Sequence, residues 1–334
     1  MNKPFIAIVG VGYWGEGLIR VFNQLGVLKI FCDIDEDTLA KRKKEYPWVT
    51  ATKNFNEILR NREIKGLVIA TPAPTHYGLA KKAIIAGKDI LVEKPLALKL
   101  AEGENLVKLS KKRKNILMVD HLFLYHPALL KIKEIVKRGR IGKIYHIHST
   151  RLNFGIIRTE ENALWSISPH DVSLIIEIIG KLPEKVSAFG KAYINKKIVD
   201  IVTANLKFKD NNISADFFVS WLNPSKERKL IIIGSKAMLI FDDLSRDKII
   251  IHDYSIKLKK NKRSPISKAE AIKSMGKIVK ITEKEPLMEV AKDFLNSISS
   301  RQQPKASGEE ACNVLRVLEA CQKSIISNGK AVKI

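Results

Sequence analysis

Apolar positions along this chain follow two rhythms, and the change falls near residue 121. Before it, short apolar runs alternate with stretches of helical spacing. Phe5–Val9 is an unbroken run of strand length, and Leu28–Cys32, Gly66–Ala70, Asp89–Val92 and Ile116–Val119 read as further strands. Between them, helical stretches fall at Gly15–Leu25, Glu36–Glu45, Asn56–Arg60, His76–Ala86 and Leu100–Lys111, with Gly87 a C-cap for the fourth. Alternating strands and helices predict a parallel sheet joined by crossover helices.

After residue 121 the pattern changes. A helix at His126–Lys137 ends at Gly139, and longer segments with period-two alternation follow. These are Ile141–Arg151, Val186–Ile194, Ile198–Lys207, Ile213–Leu222, Lys229–Ile233 and Met238–Phe241, with Asp210-Asn211-Asn212 as a hairpin turn. They predict a large, mostly antiparallel sheet with helix Val172–Ile179 on one side. An open sheet of this size commonly associates with another copy, so a homodimer or homotetramer through it is expected. Lys257–Lys280 is rich in lysine without apolar periodicity and reads as a mobile loop. Helices Leu287–Ser299 and Glu309–Ser327 close the chain, the second entered by the capping box Ser307-x-x-Glu310. The expected architecture is α/β: a doubly wound parallel domain over residues 1–121, then an α+β domain over 122–334.

Composition narrows the function. At 334 residues the chain exceeds a typical single core and suits two domains. The formal charge of +24 raises the question of nucleic acid. The excess is spread from Lys41–Lys44 through Lys111–Lys114 to Lys257–Arg263, without interleaved aromatics or a nucleic-acid module. It reads as solvated surface, so no nucleic-acid partner is expected. No apolar run approaches the ~20 residues of a membrane span, and the strand at Phe5 leaves no room for a signal peptide. Cys32, Cys312 and Cys321 form no CxxC pair, which suggests a reduced, cytoplasmic protein.

One motif carries direct chemistry. Gly10-Val-Gly12-Tyr13-Trp14-Gly15 fits GxGxxG, follows a predicted strand and opens a predicted helix. The first glycine permits the tight turn, the second admits the pyrophosphate to the backbone, and the third lets helix and strand pack closely. The helix N-terminus then faces the diphosphate. Asp33 ends the second strand, where a carboxylate accepts bonds from the ribose hydroxyls and repels a 2′-phosphate. NAD is therefore preferred to NADP, with Asp35 a weaker substitute for Asp33 and the lysines at 41–44 a solvated face.

Together with that motif, four further segments resemble the Gfo/Idh/MocA family of glucose–fructose oxidoreductases and inositol dehydrogenases. They are Ala70-Thr71-Pro72-Ala73-Pro74-Thr75-His76, Glu93-Lys94-Pro95, Tyr125-His126-Pro127-Ala128 and Trp165-Ser166-Ile167-Ser168-Pro169-His170-Asp171. The tail Pro304–Ala311 is similar to that family's entry into its last helix. The resemblance implies an oxidoreductase in which Lys94 lies at the nicotinamide end and contacts the substrate hydroxyl. It also implies that Tyr13, Trp14, Thr71, Pro72, His76 and Glu93 border the cofactor, and that Pro95 follows a cis peptide.

Sugar oxidation needs a base for the hydroxyl proton. Histidine suits that task, and His170, just before an apolar helix, is the candidate. The family pattern Asp-x-x-x-His has Ser166 in place of its aspartate here, which leaves His170 with Lys94 alone or with Asp171 recruited. The segment Arg151-Leu-Asn153-Phe-Gly155-Ile-Ile-Arg158 resembles members acting on nucleotide-activated sugars, such as UDP-N-acetylhexosamine 3-dehydrogenases. Arginine forks bind diphosphates well, so Arg151, Asn153 and Arg158 join the substrate set with Trp165, His170 and Asp171. A solvated strand end or an oligomer contact is an equal alternative for each arginine, and core filling is the default for Trp165. His146 and His148 share one strand face, and packing or an interface is favoured over a metal. A catalytically silent NAD-binding protein and an NAD-dependent glycoside hydrolase remain as alternative functions.

Overall fold

Strand β1 (Phe5–Val9) is buried from its second residue onward, and both its sheet neighbours run parallel to it. Crossover helices cover both faces of a parallel sheet, which is why the run is apolar throughout. The computed structural model describes residues 3–155, 157–209, 213–259 and 268–334. In chain order the first part continues with α1 (Tyr13–Gln24), β2 (Leu28–Cys32), α2 (Glu36–Glu45), β3 (Thr50–Thr52), α3 (Phe55–Arg60), β4 (Ile64–Ile69) and α4 (Ala73–Ile85). Then come β5 (Asp89–Val92), α5 (Leu100–Arg113) and β6 (Leu117–Val119). The strands lie in the order β3-β2-β1-β4-β5-β6. The chain leaves β1 toward one edge and returns to its other side at β4, which creates a switch point at their C-terminal ends. Ligands of doubly wound sheets bind there.

A 3-10 turn at Leu122–Tyr125 leads to α6 (Pro127–Lys137), β7 (Ile144–Phe154), α7 (Ala163–Ile167) and α8 (Pro169–Ile179). Next are β8 (Lys185–Lys191), β9 (Ile201–Lys207), β10 (Ser214–Ser220), β11 (Leu222–Gly234), β12 (Ala237–Asp242), β13 (Ile249–Lys259), β14 (Lys268–Lys273) and β15 (Lys277–Ile278). The chain closes with α9 (Pro286–Ser300), α10 (Gly308–Ile326) and β16 (Val332–Lys333). The large sheet has the order β14-β13-β12-β11-β7-β10-β9-β8-β16, with β15 beside β13. Its pairs are antiparallel except β7 with β10, which are parallel and separated in sequence by two helices and two strands. A parallel pair needs such a long connection.

The lysine-rich stretch after Lys257 departs from the expected loop. Its described residues form the end of β13, then β14 and β15, with Tyr254 opposite Lys273. Ile256 and Ile272 are exposed on this ladder. Main-chain hydrogen bonds rather than burial define it, so an apolar pattern carries no trace of it. The Asp210–Asn212 turn lies outside the described residues.

The chain forms two compact units, one of Met1–His126 with Lys284–Glu319, the other of Pro127–Glu283 with Ala320–Ile334. A single cut near residue 121 is therefore replaced by an excursion and a return. The return has a packing reason. Phe294 of α9 meets Phe22 of α1 edge-on with centroids 6.4 Å apart. Phe294 and Ile298 also lie so close over β4 that a Cβ on Gly66 would come within 3.1 Å and 2.8 Å of them. Among the described residues no helix is long and apolar enough to cross a membrane.

Candidate active site

The glycine turn of the first unit meets each steric demand of its motif. Gly10 has φ +84°, and a Cβ there would stand 2.6 Å from the Ala70 carbonyl. A Cβ on Gly15 would stand 2.1 Å from the Gly10 oxygen, whereas one on Gly12 would meet open space. The N-cap of α1 is Gly12, with no side chain capping the helix. The first N–H groups and the positive end of the helix dipole are thus left to an external anion. A dinucleotide diphosphate fits this cradle.

Asp33 is fixed beside it. Its Oδ2 accepts from the Val11 N–H at 2.8 Å and its Oδ1 from the Asp35 N–H at 3.1 Å. Each carboxylate oxygen retains a further lone pair for a ribose hydroxyl. Asp35 instead caps α2, accepting from the Thr38 N–H at 2.7 Å. Lys41, Lys43 and Lys44 are exposed, as a solvated face should be, but Arg42 between them is only 4% exposed. Its Nε donates to the Val11 carbonyl at 3.0 Å, and its two terminal nitrogens pair with Glu16 and Glu45, each at 2.7 Å. The one arginine of this basic run is therefore neutralised internally. Composition alone gave no sign of this.

Lys94 follows β5, in a loop whose Lys94–Pro95 peptide is cis. Its Nζ lies over the Trp14 ring, 5.3 Å from the centroid, so the motif tryptophan and the lysine meet. His76, on α4, ties the two neighbouring loops together: Nδ1 is 2.8 Å from the Pro95 oxygen and Nε2 is 2.7 Å from the Thr71 oxygen. Burial outweighs these carbonyls and keeps the ring below its ordinary pKa. It is a brace. Pro72 is the N-cap of α4, and the Thr71 and Thr75 hydroxyls bond at 2.6 Å.

Two groups at the end of β6 carry more than the sequence suggested. Asp120 is 5% exposed and hydrogen-bonded to Glu93, and burial, then Glu93, raises its carboxyl well above the usual range. His121 is 1% exposed, and burial, then Lys94, pushes its pKa down to about 4.

In the second unit, several expected substrate residues are engaged internally. Asp171, 1% exposed, accepts from Ser149 Oγ at 2.7 Å and from Arg151 Nε at 3.0 Å. Arg158 pairs with Glu161 at 3.7 Å. Trp165 is buried, with its indole N–H donating to Gln322 at 3.2 Å, and Ser166 is buried beside it in α7. Asn153 stands half-buried near the end of β7. His170 is half-buried in the first turn of α8. His146 and His148 converge on Asp216 of β10, each 2.6 Å from one of its oxygens. Seventy residues separate His146 from that carboxylate in sequence, so only strand pairing reveals the cluster.

A doubly wound sheet, a glycine turn shaped for a diphosphate and a carboxylate beside it define a Rossmann dinucleotide-binding protein. The chain belongs to the Gfo/Idh/MocA oxidoreductase family: its NAD-binding Rossmann domain matches over residues 5–121 and its C-terminal domain over 129–240. Myo-inositol 2-dehydrogenase of Thermotoga maritima is 22% identical over 98% of each chain. Two solved structures share the fold across nearly all of both chains. UDP-N-acetylglucosamine 3-dehydrogenase of Acidithiobacillus ferrooxidans has TM-score 0.81 at 22% identity, covering 98% of this chain and 99% of its own. Levoglucosan dehydrogenase in complex with NADH and levoglucosan has TM-score 0.83 at 17% identity, covering all of both chains.

Proposed function

We propose that this oxidoreductase is an NAD(H)-dependent dehydrogenase acting on a ring carbon of a sugar or sugar-nucleotide, in the manner of a UDP-N-acetylhexosamine 3-dehydrogenase. The observation that carries the reading is the Lys94 ammonium over Trp14, at the C-terminal end of the parallel sheet and beside the glycine turn. A cation there stabilises negative charge developing on a substrate oxygen. His170 takes the hydroxyl proton in oxidation and returns it in reduction. Gly10, Gly12, Gly15 and Asp33 hold the dinucleotide, which when bound supplies the hydride acceptor or donor. Asp33 and the internally paired Arg42 favour NAD over NADP, because neither offers a charge for a 2′-phosphate. The sugars in the relatives' names support the substrate class.

Two further expectations belong to this proposal. The buried free thiols of Cys32, Cys312 and Cys321 suit a reducing, cytoplasmic setting. The row Ile231, Ile240 and Ile250 across three strands of the large sheet suits a second copy of the chain. The functional test is an NADH fluorescence titration followed by turnover assays with UDP-sugars and polyols. Lys94→Ala is expected to lower turnover by at least ~100-fold while leaving NADH affinity within about threefold. Unchanged turnover in that variant would contradict the reading.

A further inference from the structure

We propose that Arg42 is a positioning residue for the glycine turn: its Nε–H holds the Val11 carbonyl and so turns the Gly12 N–H toward the diphosphate. The proposal rests on the turn being a dinucleotide site. Val11, the second residue of the motif, is fully buried and anchored at both of its main-chain groups. Its N–H donates to Asp33 Oδ2 at 2.8 Å, and its carbonyl accepts from Arg42 Nε at 3.0 Å. Those partners stand 22 and 31 residues further along the chain, the first just after β2 and the second within α2.

The Val11–Gly12 peptide is trans, so its carbonyl and its N–H point in opposite directions. A carbonyl held against the buried Arg42 therefore sends the Gly12 N–H away from that side chain. The space beside Gly12 is open, since a Cβ there would meet nothing within 4 Å. The Gly12 carbonyl meanwhile accepts from the Glu16 N–H at 3.1 Å, at the start of α1. One peptide orientation thus serves both the helix start and an anion lying before it.

The chemistry of arginine suits this task. A guanidinium is planar, so fixing two of its nitrogens fixes the direction of the third. Nη1 donates to Glu45 of α2 and Nη2 to Glu16 of α1, each at 2.7 Å, so the plane is held from both helices. The side chain is buried, whereas Lys41, Lys43 and Lys44 around it are exposed. A lysine at this position would bring charge without a planar fork.

The test compares Arg42→Gln with Arg42→Met by NADH fluorescence titration of the full chain. Both variants remove the charge and leave Glu16 and Glu45 without their arginine. The glutamine amide N–H takes the place of the Nε–H, whereas methionine puts a methyl group there. R42M should bind NADH at least about tenfold more weakly than R42Q, and ADP-ribose, read by displacement of NADH, should follow the same order. Adenosine, which lacks the diphosphate, should bind the two variants within about twofold of each other. Equal NADH affinity in the two variants overturns the proposal, as does a loss of adenosine matching that of ADP-ribose. If R42M does not fold, Glu16→Gln combined with Glu45→Gln decides, because it removes both ion pairs and keeps Nε. NADH affinity should then fall by no more than about threefold, and a tenfold loss overturns the proposal. A wild type that binds neither NADH nor ADP-ribose overturns the dinucleotide reading as well, whereas equal variants beside a binding wild type overturn this proposal alone.

Discussion

Helices α1 and α8 both begin without a side-chain cap, yet their positive ends meet opposite fates. At α1 the N-cap is glycine, and the acidic residue of the first turn, Glu16, turns away to pair with Arg42. The helix end is left to an anion from solution. At α8 the first turn carries Asp171, buried and held by Ser149 and Arg151. The chain supplies that anion itself. The same dipole serves as a binding site in one place and as a structural clamp in the other, depending on whether a carboxylate of the chain is within reach.

The largest expected effect breaks the clamp. Asp171→Ala removes the buried carboxylate to which the Ser149 hydroxyl and the Arg151 guanidinium both donate, and should cost about 3–5 kcal/mol, read as a large fall in Tm. A Tm near that of the wild type, with substrate affinity lost, would make Asp171 a substrate ligand after all.

Next in size is an acid effect at the end of the first unit. Unfolded, His121 takes its proton near its ordinary value of 6.5; folded, only below about 4. The unfolded chain binds more protons in that window, so this contribution is full above about 6.5 and is lost as pH falls toward 4. His121→Gln should remove about 3 kcal/mol of that dependence, making the plot of Tm against pH shallower on the acid side. An unchanged slope would place the acid sensitivity elsewhere.

Smaller in stability but sharper in function is Gly15→Ala. Its Cβ would meet the Gly10 oxygen at 2.1 Å, so the turn must shift. A loss of about 1–3 kcal/mol in stability is expected, with NADH binding weakened at least tenfold. Intact NADH binding in this variant would mean that the turn is not the diphosphate cradle.

What the sequence disclosed follows the same division. The parallel half was legible because wholly apolar strands and caps such as Gly87 are local signals; Leu28–Cys32, Glu36–Glu45 and Asp89–Val92 match the structure residue for residue. The three-residue β3 was too short to read. Gly10, Gly15 and Asp33 were legible because their physics lies within one turn and one strand. The engagement of Asp171 by Arg151, of His146 and His148 by Asp216, and of Asp120 by Glu93 was not. Those bonds join strands or helices far apart in sequence, where residue type shows the capacity to pair but not the partner. The exposed β13–β14 ladder was hidden for the opposite reason, since it buries too little apolar surface to leave a pattern.

The central claim is that the glycine turn and Asp33 form an NAD(H) site, and parallel titrations of NADH and NADPH against wild type and Asp33→Ala test it most directly. Wild type should bind NADH at least about tenfold more tightly than NADPH, and Asp33→Ala should weaken NADH and erase the preference. Failure of the wild type to bind either dinucleotide at millimolar concentration, or a preference for NADPH that Asp33→Ala leaves unchanged, would contradict the account.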